Sequence, residues 1–162
     1  MRLWDSRSAG AAGCVSDVSG VHAATVTSVR FAPGGGGAGD ALVLTCSRDN
    51  TLCLVDMRAR RATLTLRHES YRTACNWSRA ALSPDGRFVA AGSADGAVYV
   101  WDATTGGSVA RLARAREGAR DGASPAAIAG VSWSPGTSSV AQVAAVDRDG
   151  LLALWDDANP DG

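Results

Sequence analysis

The sequence predicts an all-β protein, a partial β-propeller that contains about three four-stranded blades of an expected seven. Three features predict this fold: a repeat of 51 residues, a two-residue turn in every repeat, and a strand that ends six residues beyond the turn. The repeat is marked by Pro33, Pro84 and Pro135, each of which follows a short apolar strand. Because the three prolines are equally spaced, the repeats stay in phase along the chain.

Each repeat carries a residue pair that favours a tight hairpin turn. These pairs are Asp49-Asn50, Asp95-Gly96 and Asp149-Gly150. Aspartate, asparagine and glycine tolerate the positive φ angles of two-residue turns, so each pair predicts a strand on either side. The second strand then ends in Val55-Asp56, Trp101-Asp102 and Trp155-Asp156. A Trp-Asp ending repeated at such a period is typical of propeller blades of the WD type.

Short apolar runs bounded by turn residues predict the individual strands. We expect them at 25–31, 42–46, 51–56, 62–66, 77–82, 88–92, 97–102, 108–112, 128–133, 140–146 and 151–155. The segments 34–39 and 114–124 are rich in glycine or polar residues, which favours surface loops. Helix is expected to be nearly absent.

The repeats predict a division of the chain into blades. The expected units are the end of a preceding blade at 1–18, blades at 19–66 and 67–112, an incomplete last blade at 113–157, and a tail at 158–162. Closed propellers use about four to eight blades. The chain is therefore expected to be the C-terminal part of a larger propeller, a truncated product or gene model, or a unit that needs partners to close.

Composition and charge exclude several classes of function. Sixteen basic and sixteen acidic residues cancel, so no long-range field favours nucleic acid or an anionic membrane, and no nucleic-acid partner is expected. Every basic residue is arginine, which excludes the lysine-dependent phosphate loop and Schiff-base chemistry. No apolar stretch approaches the roughly 18 residues of a membrane span, and no signal core follows Met1. We expect a cytoplasmic protein without direct membrane insertion.

The four cysteines, Cys14, Cys46, Cys53 and Cys75, form no Cys-x-x-Cys pair. Cys46 and Cys53 lie in apolar, strand-like runs, where cysteine behaves as a small hydrophobic residue. This pattern predicts buried free thiols rather than a zinc site. No cofactor is expected.

Several segments carry a resemblance to one family. They are 44–49, 55–58, 77–79, 83–96 and 99–101, the longest reading SPDGRFVAAGSADG. Val55 stands where most repeats have Trp, and Trp77-Ser78-Arg79 opens the next repeat at the expected distance. With these features, residues 42–112 resemble the C-terminal WD-repeat propeller of the autophagy-related protein 16 family.

That resemblance implies a non-catalytic docking surface. The family's propeller helps to recruit the complex that attaches a ubiquitin-like modifier to membrane lipid during autophagosome assembly. The implied partners are proteins, namely the autophagy conjugation machinery and the vacuolar proton pump. The implied location is the cytoplasm, with recruitment to autophagosomal precursor membranes.

In WD repeats the blade Trp packs internally and joins hydrogen bonds with a Ser or Thr, the turn Asp and a His. The expected structural blade residues are Ser47, Asp49, Ser93, Asp95, Trp101, Asp149 and Trp155. His22 and His68 are the candidate histidines for two blades. A stacking role for the tryptophans in ligand binding is the alternative, but large aromatic side chains are usually buried.

Arginines supply the candidate partner-binding residues because guanidinium groups pair well with phosphates and carboxylates. These residues are Arg111, Arg114, Arg116 and Arg120, and a second group lies at 58–61. The alternative is a solvated charged loop.

Enzymatic interpretations have weaker support. Gly34, Gly36 and Gly39 match a dinucleotide-binding pattern, but the following residues are strand-like where that pattern needs a helix. His22 and His68 lack an evident nucleophile and orienting acid. The alternatives that remain are a WD-repeat adaptor of another pathway, such as a ubiquitin-ligase receptor or ribonucleoprotein scaffold, a propeller enzyme, and a fragment without its own function.

Overall fold

The computed structural model describes residues 2–4, 7, 14–33, 41–113, 125–135 and 142–156. Its regular elements are thirteen strands. They are β1 (Arg2–Trp4), β2 (Cys14–Asp17), β3 (Val26–Phe31), β4 (Leu42–Ser47), β5 (Leu52–Asp56), β6 (Arg61–Leu66), β7 (Ala80–Leu82), β8 (Phe88–Gly92), β9 (Ala97–Asp102), β10 (Ser108–Ala113), β11 (Ile128–Trp133), β12 (Gln142–Asp147) and β13 (Leu152–Asp156).

These strands form antiparallel sheets in which neighbours along the chain pair with each other. The first sheet has the order β3-β4-β5-β6, the second β7-β8-β9-β10, and the third β11-β12-β13, while β1 pairs with β2. The predicted all-β, partial-propeller fold is therefore confirmed. Positive φ angles occur at Asn50, Gly96 and Gly150, the second residue of each predicted turn pair.

One strand differs clearly from its predicted bounds. A strand was expected over 77–82, but β7 begins only at Ala80. The amide of Cys75 donates to Oγ of Ser78 at 3.0 Å, and the amide of Ser78 donates to the carbonyl of Cys75 at 3.2 Å. This local pairing forms a turn that competes with the sheet ladder. The predicted loops at 34–39 and 114–124, the strand start at 140–141 and the tail at 158–162 lie outside the described residues.

The first and second sheets pack face to face around Trp101. Its side chain is fully buried, lies edge-on to Tyr71 with ring centroids 5.3 Å apart, and stacks beside Tyr99 at 6.0 Å. Leu44 and Leu54 belong to the same apolar cluster from the first sheet. Burial raises the pKa of Tyr71 well above its usual range, so its hydroxyl stays protonated beside Cys46.

The second and third sheets pack on the opposite face. Alternate residues of β9 point to opposite sides, so Tyr99 and Trp101 face the first sheet while Val98 and Val100 face the third. Ile128 and Val143 complete this second cluster. Both faces of β8 and β9 are therefore covered, which explains their unbroken apolar sequences.

The third sheet has an uncovered face. Leu152 and Leu154 are 61% and 67% exposed, although they occupy the repeat positions of Val98 and Val100, which are 0% and 6% exposed. In the second repeat, the following sheet covers these positions. The exposed leucines thus mark a face suited to packing against another blade.

Three of the four cysteines, Cys46, Cys53 and Cys75, are buried, Cys14 is half-buried, and all four are free thiols. The prediction of buried thiols is therefore confirmed for Cys46, Cys53 and Cys75 and wrong for Cys14.

The approach of the second and third sheets predicts the effect of a single methyl group. A Cβ atom at Gly92 would lie 2.8 Å from the carbonyl oxygen of Ile128 and closer still to its side chain. We expect Gly92→Ala to lower the free energy of unfolding by about 1 to 3 kcal/mol through overpacking. Urea denaturation measures this. Gly107→Ala is the control, since its Cβ meets only Oγ1 of Thr105 at 3.4 Å; equal losses in the two variants would contradict the packing argument.

Candidate functional site

In the first repeat, the turn carboxylate of Asp49 connects two segments. One oxygen accepts from the hydroxyl of Thr51 at 2.6 Å and from its amide at 3.0 Å. The other accepts from the amide of Ala23 at 2.8 Å and lies 3.2 Å from Nδ1 of His22. Burial opposes ionisation, but these hydrogen bonds and His22 hold the pKa of Asp49 below its usual range. The carboxylate therefore links the segment before β3 to the hairpin turn through hydrogen bonds.

His22 extends this network into the sheet. Its side chain is only 2% exposed, and Nε2 lies 2.7 Å from Oγ1 of Thr45, whose hydroxyl donates to the carbonyl of Cys53. Both ring nitrogens thus have polar partners inside the structure. This is the geometry of a structural histidine.

The same atoms do not form a nucleophilic triad. Sγ of Cys53 lies 4.0 Å from Nδ1 of His22, the nitrogen that also faces Asp49. A triad places the nucleophile and the orienting acid on opposite ring nitrogens. Burial also raises the pKa of the Cys53 thiol, which disfavours the reactive thiolate.

The second repeat holds its turn Asp with different residues. Oδ2 of Asp95 accepts from the hydroxyl of Tyr99 and from Nη2 of Arg111, each at 2.8 Å. Nε of Arg111 also donates to the hydroxyl of Tyr99 at 3.1 Å. Burial raises the pKa of Asp95, but hydrogen bonds from Arg111, Ser93, Tyr99 and Ala97 outweigh it, so the pKa is lowered.

His68 lies beside this network. Its Nδ1 accepts from the amide of Ser70 at 3.1 Å, and its ring lies 4.8 Å from that of Tyr99. The two candidate histidines therefore differ. His22 lies within hydrogen-bond distance of Asp49, while His68 packs against Tyr99, the residue that donates to Asp95.

The hydrogen bond of Trp101 corrects one expectation. We expected its indole to join the Ser, Asp and His network, but Nε1 donates to the carbonyl of Arg67 at 3.1 Å. The hydroxyl of Ser93 instead accepts from the amide of Arg72, and the hydroxyl of Ser47 donates to the carbonyl of Ala24. Through these bonds, Ser93 and Ser47 hold the segments before β7 and β3 against their sheets. Trp101 packs in the apolar core.

In the third repeat, sequence reasoning missed Asp147. Its Oδ1 accepts from the amides of Asp149 and Leu151, both at 2.9 Å. Asp147 occupies the repeat position of Ser47 and Ser93, so aligning the repeats would have identified it. The predicted turn residue Asp149 is exposed, and Trp155 is half-buried on β13.

The candidate partner-binding arginines are only partly placed. Arg111 lies on β10, and its half-exposed side chain binds Asp95 and Tyr99. Arg114, Arg116 and Arg120 lie outside the described residues. Partner binding by these four arginines stays a prediction.

The strands that begin each sheet converge at one end. The three marker prolines, Pro33, Pro84 and Pro135, line a shared cleft of about 410 Å³ together with Phe31 and Trp133. Nε1 of Trp133 donates to the carbonyl of Ala81 in the neighbouring sheet at 3.1 Å. The first strands of the three sheets, β3, β7 and β11, therefore lie around one cleft and are called the inner strands below.

No group of three or more His, Cys, Asp or Glu side chains in the described part of the chain could hold a metal ion. Nor does any helix within it have the length and apolar character needed to cross a membrane.

Comparison with known proteins gives consistent results. The family model "WD domain, G-beta repeat" matches residues 13–56 and 63–102. Protein tipD of Dictyostelium discoideum is 34% identical over 96% of the chain and 23% of its own length. Autophagy-related protein 16 of Arabidopsis thaliana is 37% identical over 96% of the chain and 26% of its own length. Protein Atg16l2 of Homo sapiens is 34% identical over 70% of the chain and 16% of its own length.

These relatives confirm the resemblance stated from the sequence. The chain spans about a quarter or less of the length of the relatives it matches.

Trp101 and Trp155 occupy the same repeat position with different surroundings, which predicts different stability effects. We expect Trp101→Ala to lower the free energy of unfolding by about 3 to 5 kcal/mol, because a fully buried aromatic side chain leaves a cavity. Trp155→Ala should lower the free energy of unfolding by clearly less, because this side chain is only half-buried. Urea unfolding of both variants checks this, and a larger loss at Trp155 would be inconsistent with the packing described.

The Asp95 network predicts a pH dependence. The pKa of Asp95 is lower in the folded state, so its contribution to stability is present above the ordinary carboxyl pKa of about 4 and is lost as the pH falls through the folded value. Asp95→Asn should lower the free energy of unfolding at pH 7 by about 1 to 2 kcal/mol and reduce the further loss between pH 5 and 3. Denaturant titrations across this range measure both effects.

The control for this titration is Glu69→Gln, at an exposed carboxylate. It should leave both the stability and its pH dependence nearly unchanged. An Asp95→Asn variant with the full acid sensitivity of the original chain would show that the network does not contribute as argued.

Proposed function

We propose that this chain, which belongs to the WD40 family of G-beta repeat proteins, is part of a non-catalytic scaffold in autophagy. Its role would be to help recruit the lipid-conjugation complex during autophagosome assembly. The observation that carries this proposal is the 34 to 37% identity to tipD and autophagy-related protein 16 across 96% of the chain.

The architecture supports a docking role. Sheets that cover one another hold the core rigid, and the polar networks at Asp49 and Asp95 fix the connections between strands. Connecting segments held by a rigid scaffold can present a binding surface with little loss of conformational entropy on association. This arrangement suits the binding of other proteins.

The proposed partners are proteins of the autophagy conjugation machinery and the vacuolar proton pump. The proposed location is the cytoplasm, with recruitment to autophagosomal precursor membranes. These assignments rest on the similarity to the autophagy-related protein 16 family.

A chimera tests the proposed function. In Arabidopsis plants that lack autophagy-related protein 16, that protein would be expressed with its 155-residue matching segment replaced by this chain. We expect the chimera to restore lipid attachment of the ubiquitin-like modifier and autophagosome numbers to near the level of the intact Arabidopsis protein.

The matched control carries a WD-repeat segment of equal length from a protein outside autophagy, and it should restore neither readout. If the chimera accumulates as folded protein but behaves like this control, the chain serves another pathway and the proposal fails. If the control also restores function, any such propeller segment suffices and the specific assignment fails.

A further inference from the structure

Trp77 is exposed in a part of the fold where neighbouring sheets cover both faces. The residue is 60% exposed, although Cys75 and Ser78 in the same turn are buried. It lies just before β7 in the second sheet, which is flanked by the first and third sheets. Unlike the exposure of Leu152 and Leu154, that of Trp77 does not result from an uncovered sheet face.

The turn that carries Trp77 is an insertion in the second repeat. In every repeat, an amide of the hairpin turn donates to a carbonyl of the segment before the inner strand; the pairs are Arg48 to Thr25, Ala94 to Arg72 and Arg148 to Ala127. The marker proline lies eight positions after the residue of this carbonyl in the first and third repeats, but twelve positions after it in the second. The four additional residues form the turn at 75–78, here named the Trp77 turn.

The Trp77 turn is held firmly. Oγ of Ser78 accepts from the amide of Cys75 at 3.0 Å. Just before the turn, the hydroxyl of Thr73 donates to the carbonyl of Ser47 at 2.6 Å, and its amide donates to Oδ1 of Asn50 at 2.9 Å. The indole is therefore presented on a backbone that folding has already ordered, which lowers the entropic cost of binding.

Positive charge contacts the Trp77 turn through Asn76. The guanidinium of Arg48 donates to Oδ1 of Asn76, next to Trp77, at 3.4 Å. Arg72 and Arg79 are also exposed nearby in the sequence, and Glu69 is the single carboxylate in the segment 67–79. The surface thus combines a rigid tryptophan with arginines, the residue types enriched in the residues that dominate binding energy at interfaces.

We propose that the Trp77 turn together with Arg48 is a docking site for an extended acidic segment of a partner protein. An apolar side chain of that segment would pack on the indole, and flanking carboxylates would pair with the guanidinium groups. This inference rests on the proposed scaffold function, to which it adds a surface and a partner chemistry.

Labelled peptides test the site on the purified chain. The probe is a ten-residue peptide of Asp and Glu around a central Leu, and the comparison peptide replaces every acid by its amide. Fluorescence anisotropy should show saturable binding of the acidic peptide only. Trp77→Ala should weaken it at least tenfold, and Arg48→Ala by about threefold to tenfold.

Two control variants lie away from the Trp77 turn, one on β10 of the second sheet and one in the turn before β8. Val109→Ala removes another exposed apolar side chain, and Arg87→Ala removes an arginine at the opposite end of the sheet. Both should bind the acidic peptide as the original chain does. Because Trp77 is exposed, its variant should also keep the original unfolding midpoint.

Three results would overturn the docking site: no binding of the acidic peptide at millimolar concentration, equal binding of the amide peptide, or full binding by Trp77→Ala. Binding of phosphatidylserine vesicles that depends on Trp77, without peptide binding, would identify a membrane contact instead. If the chimera restores function but the acidic peptide does not bind, only this docking site is rejected. If the peptide binds but the chimera does not restore function, only the autophagy assignment is rejected.

Discussion

The packing of the second sheet between its two neighbours determines most of the structure. Trp101 and Tyr99 point into one interface, while Val98 and Val100 point into the other. Because successive strand residues alternate in direction, four consecutive residues of β9 serve two apolar cores. Burial of large apolar side chains on both faces is the dominant favourable contribution in such a fold. The position of each surface turn depends on these two interfaces.

The polar networks are built on this apolar framework, and their composition differs between repeats. The first repeat uses His22 and Thr45 around Asp49, the second uses Tyr99 and Arg111 around Asp95, and the third uses Asp147. In the first two repeats these bonds satisfy buried or half-buried polar groups at the hairpin turn, and in the third Asp147 accepts from two exposed turn amides. These bonds are made by different side chains, so the repeats can diverge in surface chemistry while keeping one backbone.

The sequence predicted the strands well because turn pairs and apolar runs are local signals. It did not predict the Trp77 turn, since Trp77-Ser78-Arg79 resembles the start of a strand and only the pairing of Cys75 with Ser78 reveals the turn. Nor did it predict that Arg111 would bind Asp95, because that contact joins residues on different strands. The candidate site was therefore only partly predictable, as side-chain partners depend on register and sheet packing rather than on neighbouring residues.

Amide hydrogen exchange measured strand by strand tests the central role of the second sheet most directly. Covered strands exchange through rarer openings than strands with an uncovered face. The account predicts the slowest exchange in β8 and β9, which have both faces buried, and much faster exchange in β13, where Leu152 and Leu154 are exposed. Exchange in β13 as slow as in β9 would contradict it.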